Sequence, residues 1–382
     1  MNSNDMKEIQ ILSNINHLKK DDKNNYQTIK RNYGIDLLRI ISMINIINLH
    51  INLFSGQLSL NYTSPKFYSI WRSEVFSFCA VDCFGLISGI VGYKRYKFSN
   101  LIYIWIQLCF YSTSISLFLF IKNQINIKDL FLSLFPILIK RHWYINAYFS
   151  MYLLLPFINH GINSLNRKIN KNLIIFFIFF FSFHNFIAII FGDNDCHFLL
   201  NGYSSMWLTI LYIIGAFYGK YILINKNTID IISFILYILI YISCSFLSSE
   251  IKFKLIKKKS EKPDILIRYN SPTILFQAIS LILCISRINI KNALTQKIIS
   301  FLTPLNFSAL LIHSRLFRTQ IKIIKSLFKF INEFKSDKIF FKIYGLSIII
   351  YFLCIFIDYF RLIFFKLFKI REFCLLLEKK IL

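Results

Sequence analysis

The sequence contains few helix-breaking residues and few acidic ones. Its 382 residues include only 11 Gly and 6 Pro, and 19 Asp and Glu stand against 45 Lys and Arg. Secondary transporters are built from repeats whose helices are interrupted by Gly or Pro near the bilayer midplane. Because both residues are scarce and the two halves of the chain show no repeat, the sequence argues against a transporter.

Motifs that hold a metal or a disulfide framework are also missing. The eight cysteines include no C-x-x-C pair and no cluster with zinc-like spacing. Cys79 and Cys83 lie four residues apart on one predicted helix, a spacing that packing explains as well as chemistry does. Most cysteines fall in apolar segments, where a thiol behaves as a small apolar side chain. We therefore predict no metal site.

The net charge of +26 does not indicate a nucleic-acid partner. The lysines are concentrated in tails and in loops between apolar segments, where they retain membrane topology and meet anionic lipid headgroups. The chain is 55% hydrophobic and 18% aromatic, and its mean hydropathy is +0.53. Its apolar runs are continuous and close to the length that spans a bilayer. They predict an all-α fold, a polytopic transmembrane helix bundle.

We predict about ten membrane spans within residues 33–367, with polar residues 1–32 and basic residues 368–382 as cytoplasmic tails. Residues 1–30 contain no apolar core like that of a cleavable signal peptide, so the first span is expected to remain as an uncleaved anchor. The predicted spans lie near residues 34–55, 75–93, 99–121, 143–159, 171–191, 204–223, 228–248, 271–288, 298–317 and 339–365.

Lys and Arg in the short loops predict how these spans are oriented in the plasma membrane. Both tails are basic, which places both termini in the cytoplasm, whereas Asp193 and Asp195 lie in a loop without Lys or Arg that is predicted to be outside. Residues 249–270 and 314–338 are basic although the same topology places them outside. Either a span is miscounted, or later helices follow the topology set earlier, or these loops contact an anionic glycan or a lipid-linked phosphate.

The stretch GIDLLRIISMINIINLH, residues 34–50, opens the first span yet contains Asp36, Arg39 and His50. At about 100° per residue, the steps from Arg39 to His50 end about 20° past three full turns. Asp36 falls within about 40° of the same line, so the three side chains share one face. His50 lies roughly 16 Å further along the helix than Arg39.

Two interpretations of this face are open. In the first, Asp36 and Arg39 pair as i, i+3 neighbours, Arg39 holds phosphate groups near the cytoplasmic entry, and neutral His50 takes a proton from an attacking hydroxyl. In the second, Arg39 snorkels to the interface and His50 makes one interhelical hydrogen bond. An ionisable residue costs roughly 2.5–3.5 kcal/mol at the centre of a membrane helix, so both interpretations require a partner or a wet cavity.

The spacing Arg39-x10-His50, preceded by GIDLLR, is joined by two motifs further along. Ser88-Gly89 ends the predicted second span, and LLIH, which ends in His313, closes the ninth. With the order of the spans, these motifs resemble the acyltransferase-3 family of integral membrane acyltransferases, above all members that modify capsule, O-antigen or other surface polysaccharides. The resemblance covers residues 32–365.

The sequence departs from the family's motifs at two positions. Ile90 follows Ser88-Gly89 where the family has Tyr or Phe, and Leu310 stands where the family has Tyr before Leu-Ile-His. Both departures concern the second and ninth spans. They leave the Arg39 and His50 spacing of the first span unchanged.

The resemblance implies transfer of an acyl group, expected to be acetyl, from cytoplasmic acyl-CoA to a hydroxyl of a cell-surface polysaccharide or its lipid-linked precursor. It makes His50 the catalytic base or relay, with Arg39 and Asp36 positioning the donor. Acyl-CoA is then a substrate, and no bound cofactor is expected. The expected partners are acyl-CoA, the glycan acceptor and membrane lipids.

The resemblance also implies substrate-binding residues. Arg95 and Lys97 are expected to recruit the CoA phosphates at the cytoplasmic face. Trp143 and Tyr144 either belong to an interfacial aromatic belt or stack on the acceptor sugar. His313 either lines the same cavity as His50 or lies at headgroup level. The full set of candidates is Ser88, Arg95, Lys97, Trp143, Tyr144 and His313.

A polysaccharide flippase or polymerase is the main alternative, because it would share the helix count, the basic loops and a lipid-linked glycan partner. A polymerase is expected to have a sizeable extracytoplasmic loop that carries its chemistry. No loop between the predicted spans clearly exceeds about 30 residues.

Overall fold

The computed structural model describes residues 31–94, 96–137, 143–192, 195–223, 229–319, 321–335 and 338–381. Their regular structure is entirely helical, which confirms the predicted all-α class. The helices are α1 (Tyr33–Phe54), α2 (Phe67–Phe78), α3 (Ala80–Gly92), α4 (Phe98–Ile121), α5 (Ile127–Leu132), α6 (Trp143–Ser164), α7 (Arg167–Ile178), α8 (Asn185–Ile190), α9 (Ser205–Tyr221), α10 (Ile231–Lys257), α11 (Pro272–Ile285), α12 (Ala293–Leu302), α13 (Asn306–Thr319), α14 (Lys322–Asn332), α15 (Ile339–Leu367) and α16 (Ile370–Ile381). A π turn, Phe179–His184, joins α7 to α8.

The two predicted tails differ in what the structure describes. Nearly all of the polar tail, residues 1–32, lies outside the described residues. The basic tail, residues 368–382, contains α16, which packs against α4 and buries Cys374. The cytoplasmic location of both tails stays a prediction.

Six segments of the described residues are long and apolar enough to cross a membrane: α1, α2 with α3, α4, α7 through α8, α10 and α15. The chain is therefore a helical membrane bundle, and the count of ten spans stays a prediction. The other predicted spans correspond to α6, α9, α11 and the α12–α13 segment. With 17 and 14 residues, α9 and α11 are short for a hydrocarbon core that takes about 20 residues to cross, and their apolar side chains are mostly buried.

Burial separates central spans from peripheral ones. In α1 and in the α2–α3 segment, 61% and 67% of the 18-residue apolar stretch is buried inside the protein. In both α7–α8 and α10 the buried share is 17%. The exposed apolar side chains of α7–α8 and α10 form a surface suited to lipid. Because α1 is one of the central spans, its polar side chains are surrounded by protein.

Hydrogen bonds join α1 to α2 at the centre of the bundle. Asn48 donates from Nδ2 to the hydroxyls of Ser73 and Ser77, both at 2.9 Å, and Asn52 donates to Glu74 at 2.9 Å. All five residues are buried. Because an unpaired polar group is costly away from water, these bonds fix the register of α1 against α2.

The basic region 314–338 is more helical than a loop. Helix α13 continues to Thr319, and within it buried Arg315 donates to Ser116 at 2.9 Å. The following α14 is amphipathic, with one apolar face buried and lysines on the other. The buried face consists of Ile324, Phe328 and Ile331, and an open depression of about 470 Å³ is lined by Gln124, Lys322, Lys325, Ser326 and Lys329.

Helices α3 and α9 approach so closely that glycine is required on both sides. A Cβ added at Gly89 would lie 1.9 Å from the carbonyl oxygen of Tyr212, and one at Gly215 would lie 2.0 Å from the carbonyl oxygen of Leu86. Since both obstacles are backbone atoms, no side-chain rotation relieves them. The glycine of the Ser88-Gly89 motif is therefore explained by helix packing.

We predict that Gly89→Ala destabilises the folded protein. The added methyl group forces α3 and α9 apart, which outweighs the roughly 0.5–1 kcal/mol by which Ala is favoured over Gly in a helix. The measurement is the melting temperature of detergent-solubilised protein. Gly345→Ala is the control, because a Cβ there meets no atom within 4 Å. A melting temperature for Gly89→Ala at or above that of the wild type would contradict the close approach.

Candidate active site

His50 of α1 and His313 of α13 face each other inside the bundle. Nδ1 of His50 lies 2.8 Å from Nε2 of His313, and the ring centroids are 4.9 Å apart. His313 is buried and His50 is partly exposed. Asn306 joins the same two helices about three turns earlier on α1 and two turns earlier on α13, because its Nδ2 donates to the carbonyl oxygen of Arg39 at 2.7 Å. The two helices therefore run in the same direction, which brings the histidines together.

The backbone of α13 determines the tautomers of this pair. Nδ1 of His313 lies 2.5 Å from the carbonyl oxygen of Ala309, which can only accept, so neutral His313 holds its proton on Nδ1. Nε2 of His313 then accepts the Nδ1–H of His50. Neutral His50 is left with its lone pair on Nε2. The arrangement orients His50 as a base, since its other nitrogen is held by a second histidine.

Asp36 and Arg39 form the ion pair that their spacing predicts. Nη1 of Arg39 lies 2.7 Å from Oδ1 of Asp36, and the side chains are 26% and 7% exposed. The carboxylate offsets the cost of placing a cation in this helix and fixes the position of the guanidinium. Arg39 therefore lies on the same face of α1 as His50, closer to the start of the helix.

A column of tyrosines on α6 passes beside Arg39 and Ser88. Tyr148 lies next to the Ser88 hydroxyl and close enough to Arg39 for the positive charge to act on its phenol. Its ring contacts Tyr144 and Tyr152, with centroids 6.3 and 5.8 Å away. Ser88 itself donates to the carbonyl oxygen of Phe84 at 2.8 Å. The structure thus brings Arg39 and Ser88 to one place through a tyrosine.

Of the two candidate contacts to CoA phosphates, Lys97 is described by the structure and Arg95 lies outside the described residues. Lys97 is exposed just before α4, where its carbonyl oxygen accepts the Tyr152 hydroxyl at 2.8 Å. The carboxylate of Glu378 in α16 lies close to the Lys97 charge. Lys97 is therefore accessible, although a carboxylate already shares its surroundings.

Trp143 belongs to an aromatic cluster of Phe78, Trp143, Tyr203 and Tyr269. The Trp143 ring stacks on Tyr269 with centroids 5.6 Å apart and lies 4.6 Å from Tyr203. Phe78 also stacks on Tyr269, with centroids 4.6 Å apart. Burial, the neighbouring Tyr203 and the Glu74 carboxylate raise the pKa of Tyr269 well above its usual range. Tyr269 therefore stays protonated and can donate a hydrogen bond.

The acyltransferase-3 family model, an acyltransferase domain, matches residues 32–359. The chain is a member of the acyltransferase-3 family. It is therefore an acyltransferase of the kind that transfers groups other than aminoacyl groups, and the flippase, polymerase and transporter alternatives are set aside. No curated protein and no solved structure matches the chain.

The acyltransferase also buries a complete ion pair in α15. Nε and Nη2 of Arg361 donate to the two oxygens of Asp358 at 2.7 and 2.6 Å, and Tyr111 donates to Asp358 at 2.5 Å. Arg361 further donates to the Tyr103 hydroxyl at 3.0 Å. Because both members of this bidentate pair also bond to tyrosines of α4, the pair links α15 to α4, and removing one member would leave a buried charge without its partner.

Three contributors to the site of this acyltransferase escaped sequence reasoning. Tyr148 follows Tyr144 by four residues and precedes Tyr152 by four, so the helical spacing alone carries a signal for the column. Asn306 acts through its contact with Arg39, which depends on how α13 packs on α1 and which no pattern in the sequence indicates. Ala309 contacts His313 four residues further along the same helix, so that contact is local to α13.

We predict that His50→Ala abolishes measurable acyl transfer and that His313→Leu lowers it more than His313→Gln does. Losing a general base costs about 10²–10⁴ in rate. Glutamine offers an amide oxygen that accepts the Nδ1–H of His50, whereas leucine leaves that group unpaired. The measurement is transfer of a labelled acyl group by membranes that contain equal amounts of each variant.

The control for this series is His160→Ala, because His160 is exposed on α6. It should keep the wild-type rate. Wild-type transfer in His50→Ala, or equal rates for the two His313 variants, would contradict the assignment of His50 as the base and His313 as its positioning partner.

Proposed function

We propose that this acyltransferase moves an acyl group, with acetyl as the expected group, from acyl-CoA to a hydroxyl of a cell-surface polysaccharide or its lipid-linked precursor. The observation that carries the proposal is the contact of His50 with His313, which the Ala309 carbonyl orients. This pair shares a face of α1 with the Arg39–Asp36 ion pair. A base and a cation are thus arranged along one helix that crosses the membrane.

In the proposed reaction the acceptor hydroxyl attacks the thioester carbon of the donor. The proton of the hydroxyl passes to Nε2 of His50 as the new C–O bond forms. The C–S bond then breaks, and the proton on His50 goes to the leaving thiolate, which gives an ester and free CoA. His313 stabilises the imidazolium of His50 by accepting its Nδ1–H throughout.

Arg39 is the proposed anchor for the donor phosphates. Its guanidinium presents a planar set of donors that suits phosphate oxygens, and Asp36 keeps it in place. Ser88 and Tyr148 lie beside it and offer hydroxyls to the same ligand. The roughly 16 Å along α1 between Arg39 and His50 suits a donor whose phosphates and thioester are joined by a long flexible arm. Lys97 and Arg95 are proposed as outlying contacts.

The aromatic cluster is the proposed contact for the acceptor sugar. Trp143 and Tyr144 begin α6, and their flat rings suit the apolar face of a pyranose. Two buried acidic side chains, Glu74 and Asp82, lie near Tyr269, and their oxygens can hydrogen-bond to sugar hydroxyls. A site with aromatic surfaces and a few acceptors recognises sugars in preference to acyl chains.

The proposed location is the plasma membrane, with both termini in the cytoplasm. The six apolar segments support insertion in a membrane, and the basic tails support the orientation. The lysines of α14 then lie outside, next to the depression of about 470 Å³. An anionic glycan or a lipid-linked phosphate is the class of partner that suits this basic surface.

We predict that Arg39→Lys raises the KM for acetyl-CoA with a smaller effect on kcat. Lysine keeps the charge but loses the planar fork that grips a phosphate with two hydrogen bonds. The measurement uses purified protein in lipid vesicles, acetyl-CoA and polysaccharide isolated from the cell surface, with ester formation followed by NMR. Arg72→Lys is the control, because the Arg72 side chain is 51% exposed and pairs with Glu250. An unchanged KM in Arg39→Lys would contradict phosphate binding and favour a snorkelling arginine.

We predict that Trp143→Leu raises the KM for the acceptor and leaves the KM for acetyl-CoA unchanged. A lost stacking contact of about 0.5–1.5 kcal/mol corresponds to roughly a 2–10-fold weaker affinity. Trp105→Leu is the control, because Trp105 is 45% exposed on α4 and contributes nothing to the cluster. If Trp143→Leu changed the donor KM and not the acceptor KM, the acceptor site would lie elsewhere.

A further inference from the structure

Two histidines and a cysteine outside the proposed acyl-transfer site lie close together beside α8. His184 ends the π turn between α7 and α8, and Cys196 and His197 follow after α8. Nδ1 of His184 lies 3.2 Å from Nε2 of His197 and 3.8 Å from Sγ of Cys196. One ligand atom of each residue lies within 4.8 Å of the other two. We infer that these three side chains bind a zinc ion.

The distances suit a tetrahedral ion. With Zn–N bonds of about 2.05 Å and a Zn–S bond of about 2.3 Å, the nitrogens lie about 3.3 Å apart, and nitrogen and sulfur about 3.6 Å apart. The two distances in the protein, 3.2 and 3.8 Å, differ from these by about 0.2 Å or less. The remaining pair, a His197 nitrogen and Sγ of Cys196, lies within 4.8 Å, so a zinc ion fits when these two side chains close in by up to about 1.2 Å, and a water molecule would complete the coordination.

The ligand types favour zinc over the common hard cations. Thiolate and imidazole are soft or borderline ligands, whereas Mg²⁺ and Ca²⁺ prefer carboxylates, carbonyls and water. Zinc is bound by nitrogen and sulfur ligands of this kind, and zinc sites that keep one position open have three protein ligands. Sequence reasoning predicted no metal site here, because the spacing His184-x11-Cys196-His197 contains no C-x-x-C or paired-histidine motif.

The surroundings hold the three side chains in place. Phe180 and Phe181 contact the His197 ring, with centroids 6.5 and 5.2 Å away, and Phe180 also contacts His184 at 6.0 Å. The Cys196 thiol donates to Oδ1 of buried Asn185 at 3.3 Å. His184 closes a π turn, a helix irregularity that is frequent at functional sites. These contacts orient the ligands before the ion arrives.

Binding of one zinc ion releases one proton from the protein. Zinc replaces the thiol proton of Cys196, which leaves for solvent, and forms one Zn–S and two Zn–N bonds. The N–H between the two imidazoles moves to the far nitrogen of its ring, so neither histidine changes its charge. Because the thiol must lose a proton, affinity rises as pH rises.

A bound ion would tie the start of α8 to the segment that carries Tyr203. In this segment Oδ2 of Asp195 accepts the backbone N–H of Asn201 at 3.1 Å, and Arg268 donates to Asn201 Oδ1 at 2.7 Å. Tyr203 then contacts Trp143 and Tyr269 in the aromatic cluster. Zinc is therefore expected to support acceptor binding, a consequence that rests on the proposed function, whereas binding of the ion does not.

The experiment titrates the purified full-length protein with Co²⁺, which replaces zinc and is coloured in a tetrahedral thiolate site. We expect a thiolate-to-cobalt charge-transfer band that saturates at one ion per protein and is bleached by Zn²⁺. Cys196→Ser should remove the charge-transfer band, and His184→Ala and His197→Ala should each weaken cobalt binding by more than about 10-fold. All three residues are at least partly exposed, so the variants should keep the wild-type melting temperature.

Cys109→Ser and His160→Ala are the matched controls, because neither residue belongs to the cluster. Both should keep the band and the affinity. A protein without the band, or one in which the band survives in Cys196→Ser, would overturn the zinc site. This outcome is separate from the acyl-transfer assays, which are read without added metal.

Discussion

Pairing of polar side chains inside an apolar bundle is the constraint on which this structure depends. Helix α1 places amides, charged groups and a histidine where water is scarce, and a lone polar group there is expensive. Asn48 and Asn52 turn to α2, while His50 turns to α13 on another side of α1. The partners of α1 thus specify which helices surround it. Stability and the arrangement of the site come from the same contacts.

The same constraint distinguishes an accessible charge pair from an enclosed one. The buried pair of Asp358 and Arg361 is hydrogen-bonded by two tyrosines of α4, so it joins α15 to α4. Asp36 and Arg39 pair as well, but part of the Arg39 side chain stays exposed beside Ser88 and Tyr148. A cation that is positioned and still accessible suits a ligand. A fully buried and paired cation such as Arg361 is suited to holding helices together.

The sequence was sufficient for local relations and insufficient for distant ones. Helix periodicity placed Asp36, Arg39 and His50 on one face, and the i, i+3 spacing predicted the ion pair that the structure contains. The contact between His50 and His313 joins helices far apart in the chain, so only tertiary packing could specify it. The cluster of His184, Cys196 and His197 was missed for the same reason, since a π turn and an irregular segment assemble it. Apolar runs predicted the fold class but not which short helices are buried and which face lipid.

The separation of 263 residues between His50 and His313 has a consequence for assembly of the protein. A chain that enters the membrane from its N-terminus inserts α1 long before α13 has been synthesised. During that interval Asp36 and Arg39 neutralise each other within a single helical turn, so the charges of α1 need no other helix for compensation. His50 gains its partner, His313, only after nearly the whole bundle has been synthesised. An unfinished or truncated chain would therefore hold an imidazole without its orienting partner, because His313 belongs to the last fifth of the protein.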